Sequence, residues 1–337
     1  MKNIFRFLGI MAIAMMVAFL ISCTQKQANT PTSPVSSPNP PEVQPSGSMS
    51  GHMMSGKTKI NLNTALLSEL DKLEAKLASP ALSNKIQASR PYANVQELVT
   101  KKIINQGQFE QIKDLVTIET VVLTGKAKDV DYLVKLGLMK GHLLVAKELL
   151  DLQKLDQAEP HIGHPVEEIY ADVEDQLKER GVAEFKTTLT KLQDLVKAGK
   201  VTPQRATEFT TSMAAIDKAI AKLPAADLQD PKFILPVING LLDTANSEYG
   251  AAIADGKVKE IVEYQDSRGF VTYANNLYGQ ISATMTKSYA KNHQEIAQAF
   301  DKLKPIWPTA IAPASAVASP DEVTKIIKAI EDASNGL

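Results

Sequence analysis

Along most of the chain apolar residues recur every three or four positions, the spacing that lays one apolar stripe along an α-helix. The clearest stripe is Phe209, Met213, Ile216, Ile220 and Leu223, behind a Thr202-Pro203 start. Val166, Ile169, Val173 and Leu177 repeat the pattern from Pro165 to Gly181, and Phe185, Leu189, Leu192 and Val196 do so within 183–198. Further helices are expected over 129–137 and 138–153, with Gly137 and Pro160 as breaks. Others follow from Asp230-Pro231 to about residue 254, over 257–282 and over 284–303. Ser319 with Glu322 has capping-box spacing and opens a last helix. Short connections between such helices favour antiparallel neighbours, so residues 120–337 read as an up-and-down helical bundle. The fold class is all-α, with almost no β-structure.

Composition agrees with the pattern. The 337 residues are 44% hydrophobic, 22% charged and only 5% aromatic, which favours helices packed through aliphatic side chains. Two stretches break the periodicity. Lys2 and Arg6 precede an apolar run from Phe7 to Phe19 that ends in Leu20-Ile21-Ser22-Cys23, and residues 24–56 are rich in Pro, Ser, Thr, Asn and Gln. The first reads as a signal segment over 1–22, and the second as an extended tether over 23–56 that cannot bury enough apolar surface to fold. Met49, His52, Met53 and Met54 in the tether offer soft thioether and imidazole ligands; incidental Met in a linker is the plainer reading. Cys23 is the sole cysteine.

Net charge is −1, but it is uneven. Residues 57–119 carry nine basic and seven acidic side chains, whereas 120–337 carry 25 basic and 30 acidic ones, an unsuitable surface for nucleic acid.

Polar groups interrupt several apolar stripes. His142 falls in the series Leu138, His142, Val145, Leu149, Leu152, and His293 falls in Met285, Tyr289, His293, Ile296, Phe300, Leu303. Glu263 and Asp266 end the stripe that continues through Phe270, Tyr273 and Leu277. The segment from His161 to Tyr170 adds His161, His164 and Glu168, with Glu167 turned aside. His164 just ahead of Pro165 is expected at a helix start, where the helix dipole disfavours imidazolium. Buried polar groups need partners. Two readings account for them: separate core histidines, each bonded to an acid or a carbonyl, or one interior site. In the second reading His142, His161, His164, Glu168, Glu263, Asp266 and His293 converge on a transition metal, with Zn, Fe, Cu and Mn all compatible with the mixed N/O set. The spacing matches neither HExxH nor the paired Glu-x-x-His di-iron pattern. There is no nucleophile elbow, phosphate loop or dinucleotide fingerprint, so a non-enzymatic role is expected.

Three resemblances add to this. Leu20 to Cys23 resembles the lipobox of bacterial lipoproteins, which implies cleavage before Cys23, lipidation of its thiol and a soluble body tethered at the cell envelope. Thr24 after the cysteine implies the outer membrane in a Gram-negative cell. Residues 59–118, through INLNTA at 60–65, SPALSNKI at 79–86, RPYANVQEL at 90–98 and QIKDLVTI at 111–118, resemble the helix-hairpin-helix domain of ComEA-type competence DNA receptors. That implies a small module over 57–119 able to grip DNA phosphates. The hairpin glycines are replaced: Ser79 stands at one, Ile103 and Asn105 at two others, and Lys85, Lys101, Lys102 and Asn105 remain as phosphate contacts. The photosystem II extrinsic protein PsbU has a similar module that packs on protein, so docking to an envelope partner is the favoured expectation and DNA uptake the alternative. A third expectation is a structural or assembly factor of a membrane complex. Finally, GHLLVAKEL at 141–149, HIGHPVEEIY at 161–170 and EYQDSRGF at 263–270 are loosely similar to helical periplasmic iron- and copper-associated proteins of the imelysin and EfeO kind, which implies metal handling.

Overall fold

The computed structural model describes residues 59–65, 67–119, 122–199, 202–335 and 337. The leader, Cys23 and the Met49, His52, Met53 and Met54 tract lie outside the described residues.

The amino-terminal module holds α1 (Leu67–Leu77), α2 (Leu82–Ala88), α3 (Glu97–Thr100) and α4 (Gln106–Ile112). A two-residue parallel pairing of β1 (Ile60–Asn61) with β2 (Val116–Thr117) ties its ends together. Leu62, Leu70, Leu73, Leu82, Ile86 and Leu98 are fully buried in a core of its own. The hairpins keep their left-handed turns without glycine. Ala78 and Ala81 take positive φ in the first, and in the second it is Lys102, not Ile103. Ile103 instead packs against the module core, which is where a β-branched side chain gains most and a left-handed backbone would strain it.

The remaining helices are α5 (Gly125–Asp151), α6 (Leu155–His164), α7 (Tyr170–Glu179), α8 (Lys186–Lys197), α9 (Pro203–Ile220), α10 (Pro231–Ala252), α11 (Ile261–Ser288), α12 (Ala290–Leu303) and α13 (Pro320–Ser334). Their starts follow the sequence signals. Thr202, Asp230 and Ser319 each accept a backbone N–H of the first turn, and Ser319 with Glu322 closes a capping box. A tight antiparallel pairing of β3 (Ile253–Ala254) with β4 (Lys257–Val258) turns α10 back along α11. A second core, separate from that of the module, fills this bundle.

Several boundaries differ from expectation. Gly137 does not break α5, because its bare Cα lets Leu241 and Tyr273 pack where a Cβ would sit 3.0 Å from both. Pro160 lies inside α6, and Pro165 opens a π-turn (Pro165–Ile169) that runs straight into α7. A proline has no N–H to give and crowds the preceding turn, so the ladder widens here and Tyr170 N–H reaches back to Pro165 O. The expected break near residue 283 falls at Tyr289 instead.

Module and bundle form one compact unit over 56–337, with α1 lying on α10. Ala75 meets Gly250 at this seam, and Lys72 pairs with Asp243. No helix among the described residues is long and apolar enough to cross a membrane.

Candidate metal centre

The site begins with a crossing of two glycines. Gly141 on α5 and Gly269 on α11 meet backbone to backbone, and a methyl group on Gly269 would overlap the Gly141 carbonyl. The close approach brings the next residue of α5, His142, onto Asp266, one turn earlier on α11. His142 Nδ1 lies 2.6 Å from Asp266 Oδ1. From α6, His161 Nδ1 reaches the same oxygen at 2.6 Å, and His164 Nδ1 lies 3.4 Å from Oδ2. His142, His161 and Asp266 are buried, whereas the His164 side chain keeps 26% of its surface exposed. Phe270 closes one side, edge-on to His142 at 4.9 Å.

One partner fixes the chemistry of His161. The Gln265 side chain donates through Nε2 to the carbonyl of Ala310, which can only accept, and to Gln157 Oε1. Its Oε1 therefore faces His161 Nε2 at 2.8 Å, and that nitrogen must carry a proton and donate. The other nitrogen, Nδ1, then faces an Asp266 oxygen at 2.6 Å. Two lone pairs cannot meet at that distance, so a proton lies between them, and an ion would have to displace it. Hydrogen bonding that leaves one imidazole nitrogen free to ligate is the outer-shell arrangement of metal sites. Ala310 is held in turn by its N–H to Glu148, which forms a two-pronged pair with Arg268.

Charge reinforces the arrangement. Burial alone pushes Asp266 towards protonation, but the charges and hydrogen bonds of His142 and His161 outweigh it and hold the carboxyl well below the usual range. Burial pushes His142 down, and the charge and hydrogen bond of Asp266 oppose it. His164 goes the other way. Burial opposes its charge, yet Asp266, Glu168 and Glu263 raise it to about 9. This overturns the expectation of a neutral ring at a helix start: the helix continues through Pro165, so no N-terminus faces His164, and three carboxylates do.

Among the described residues His142, His161 and Asp266 place one ligand atom each within 4.8 Å of one another. Glu168, on the π-turn, and Glu263, at the start of α11, lie beside this group, both pushed up chiefly by burial. Glu167 is turned aside and accepts from Gln193. His293 does not join. Its Nδ1 lies 2.7 Å from the Tyr278 hydroxyl, and the two rings stack. The reason is the break at Tyr289, which starts α12 as a separate helix and commits His293 to a partner on α11. Two further acids bear on the site: Glu248 on α10, which is buried, and Asp71 on α1 of the module, which is half-buried. Glu248 carried a readable signal, since it interrupts the apolar series Leu241, Ala245, Glu248, Ala252. Gln265 carried none, because its role depends on a loop residue, Ala310, far along the chain.

The phosphate-contact residues fare differently. Lys101 is spent inside the module, donating to the carbonyls of Ser89 and Pro91, pairing with Glu97 and lying over Tyr92. Asn105 caps α4 in a capping box with Gln108. Lys85 and Lys102 are exposed.

Residues 224–337 match the iron permease-associated 4-helix bundle domain. Residues 55–117 match the helix-hairpin-helix motif. No curated protein and no solved structure gives a significant match. The matched bundle region spans α10 to α13, so it supplies Glu248, Glu263, Gln265 and Asp266. The three histidines and Glu168 come from helices ahead of it.

Proposed function

We propose that this protein is a metal-binding protein of the cell envelope, non-catalytic, which holds a transition-metal ion between His142, His161, His164 and Asp266. The observation that carries the reading is the Gln265-fixed His161 ring facing a carboxylate oxygen that a second imidazole already shares. Such a mixed nitrogen and oxygen set suits Zn, Fe, Cu or Mn, and similarity to an iron permease-associated bundle puts iron first. A bound ion would take the place of the protons now shared at Asp266, with His142 and His161 as neutral ligands. The lipobox-like leader supports anchoring through Cys23, and the seated module supports a role in docking, first on its own bundle and then on an envelope partner. Elemental analysis of untagged full-length protein tests this. Near-stoichiometric metal that is lost in both His142→Ala and His164→Ala is the expected result; metal-free protein after reconstitution with Zn, Fe, Cu and Mn sinks the reading.

A second reading, DNA binding, draws on the helix-hairpin-helix match and on exposed Lys85 and Lys102. A gel shift with duplex DNA that weakens steeply with salt would favour it. Binding insensitive to Lys102→Ala and Lys85→Ala would count against it.

A further inference from the structure

Between α12 and α13 the chain forms a strap, residues 304–319, whose backbone is fastened by side chains of other helices. Tyr249 donates to Ala318 O at 2.8 Å, Tyr264 to Thr309 O at 3.2 Å, and Arg268 to Trp307 O. The strap dips inward at Ala310, which is buried between exposed Thr309 and Ile311. Both backbone polar groups of Ala310 are engaged there. Its N–H donates to Glu148 Oε1 at 3.0 Å, and its carbonyl accepts from Gln265 Nε2 at 2.9 Å. Glu148 is itself gripped by the Arg268 fork, at 2.9 Å through Nε and 3.0 Å through Nη2. Arg268 therefore holds the strap twice, directly at Trp307 and through Glu148 at Ala310.

The consequence reaches His161. A primary amide has a donor end and an acceptor end, and a half-turn about its last bond exchanges them. Gln157, an amide itself, can present either end to Gln265 and so dictates nothing. The Ala310 carbonyl can only accept, so it alone keeps Gln265 Nε2 on the strap and Oε1 on His161 Nε2. Gln265 and His161 are both fully buried, so the end that Gln265 turns to the ring decides where the ring proton sits. With the carbonyl withdrawn, Gln265 can turn, place its NH₂ on His161 Nε2 and send the proton to Nδ1, the nitrogen that faces Asp266. We propose that Glu148 and Arg268 are positioning residues for the metal centre: by clamping Ala310 they set which His161 nitrogen stays open to the ion. The proposal rests on the metal-binding reading above. Neither residue touches the ion, and both act through Ala310 and Gln265.

The test takes metal-free, full-length protein with ¹⁵N-labelled histidine, reads the ring nitrogens by NMR, and then titrates it with ZnCl₂ by calorimetry. The His161 signals are those missing in His161→Ala. Wild type is expected to carry a proton on His161 Nε2. In Glu148→Ala, which removes the acceptor for Ala310 N–H, a ring protonated at Nδ1 and bare at Nε2 is expected, with Zn²⁺ binding weakened about 10–100-fold, the usual cost of losing an outer-shell partner. Glu148→Gln removes the same charge but keeps an oxygen for Ala310, so it is expected to retain the Nε2 proton and to bind Zn²⁺ more tightly than Glu148→Ala. If circular dichroism shows that Glu148→Ala does not fold, Arg268→Lys carries the same prediction, since it keeps the charge and gives up the fork. An Nε2 proton unmoved in Glu148→Ala overturns the clamp whether or not affinity falls, and leaves the metal site standing as long as wild type binds. Equal weakening in Glu148→Ala and Glu148→Gln also overturns it, because charge alone would then explain the loss. Wild type that binds neither Zn²⁺ nor, in its place, Fe²⁺, Cu²⁺ or Mn²⁺ removes the metal reading and the proposal with it.

Discussion

The histidine end and the carboxylate end of the buried polar region are neighbours with opposite internal economies. At the histidine end one carboxylate, Asp266, serves three imidazoles, and Gln265, Gln157 and Ala310 complete the hydrogen bonding. At the carboxylate end acids bear on acids: the leading charges on buried Glu248 are Asp71, Asp266, Glu263 and Glu168. The first can stand without an ion because protons can bridge its members. The second favours protonated acids: Asp71 is pushed up to about 7 by burial, with Glu74, Glu263 and Glu168 adding to it. Losing a donor should therefore damage one end, and losing a charge should relieve the other.

The largest effect expected is from Asp266→Ala. It strips three imidazoles, two of them buried, of their shared acceptor and should destabilise the metal-free protein by about 3–5 kcal/mol, measured by urea unfolding. A cost below about 1 kcal/mol would mean that the histidines are satisfied elsewhere. Next is Gly269→Ala, which forces α11 off α5 at Gly141. Overpacking of this kind costs about 1–3 kcal/mol, and metal content should fall with it even though no ligand is touched. An unchanged melting temperature and metal content would show that the glycine crossing does not position the site.

At the carboxylate end the sign reverses. Glu248→Gln should raise the melting temperature of metal-free protein, since it removes a buried carboxyl on which the leading charges are acids; a lower melting temperature would contradict this.

The pH dependence follows from the same groups. Asp71 has a folded value raised from 3.8 to about 7, and Asp172, among Lys135, Glu69, Arg90 and Asp131, is raised by burial from 3.8 to about 6. A carboxyl raised on folding binds protons more tightly in the native state, so its contribution is most favourable below about pH 4 and turns against folding as pH climbs through its folded value. These two groups should make metal-free wild type lose stability between about pH 4 and 7, and Asp71→Asn should flatten the upper part of that loss. A slope identical in wild type and Asp71→Asn would remove Asp71 from the acidic group. The smallest effect is expected at Asn105→Ala, which deletes the α4 cap at a cost of about 1 kcal/mol and leaves metal content unchanged.

Much of the fold could be read from the chain because it rests on local rules. The Thr202, Asp230 and Ser319 starts and the aliphatic stripes depend on residues within a turn of each other. The misreadings came from contacts between distant helices. Gly137 looked like a break and is a packing contact with Leu241 and Tyr273, and Pro165 looked like a start and is a widened turn inside a longer helix. The same division runs through the site. His142 and Asp266 were legible as polar residues in apolar stripes, and so was His293, which took the nearer partner, Tyr278. Which of several misplaced polar residues meet depends on the angle at which α5, α6 and α11 cross. No spacing within one helix encodes that. Asp71 was harder still, because the seam that half-buries it lies between two separately cored regions.

The central claim is that His161, and not His293, belongs to a metal site. Its most direct test is the metal content of untagged full-length protein carrying either His161→Ala or His293→Ala, each compared with wild type after reconstitution with iron. The account predicts that His161→Ala loses the histidine-bound ion while His293→Ala keeps the full wild-type complement. Retention of that complement in His161→Ala, or its loss in His293→Ala, would contradict it.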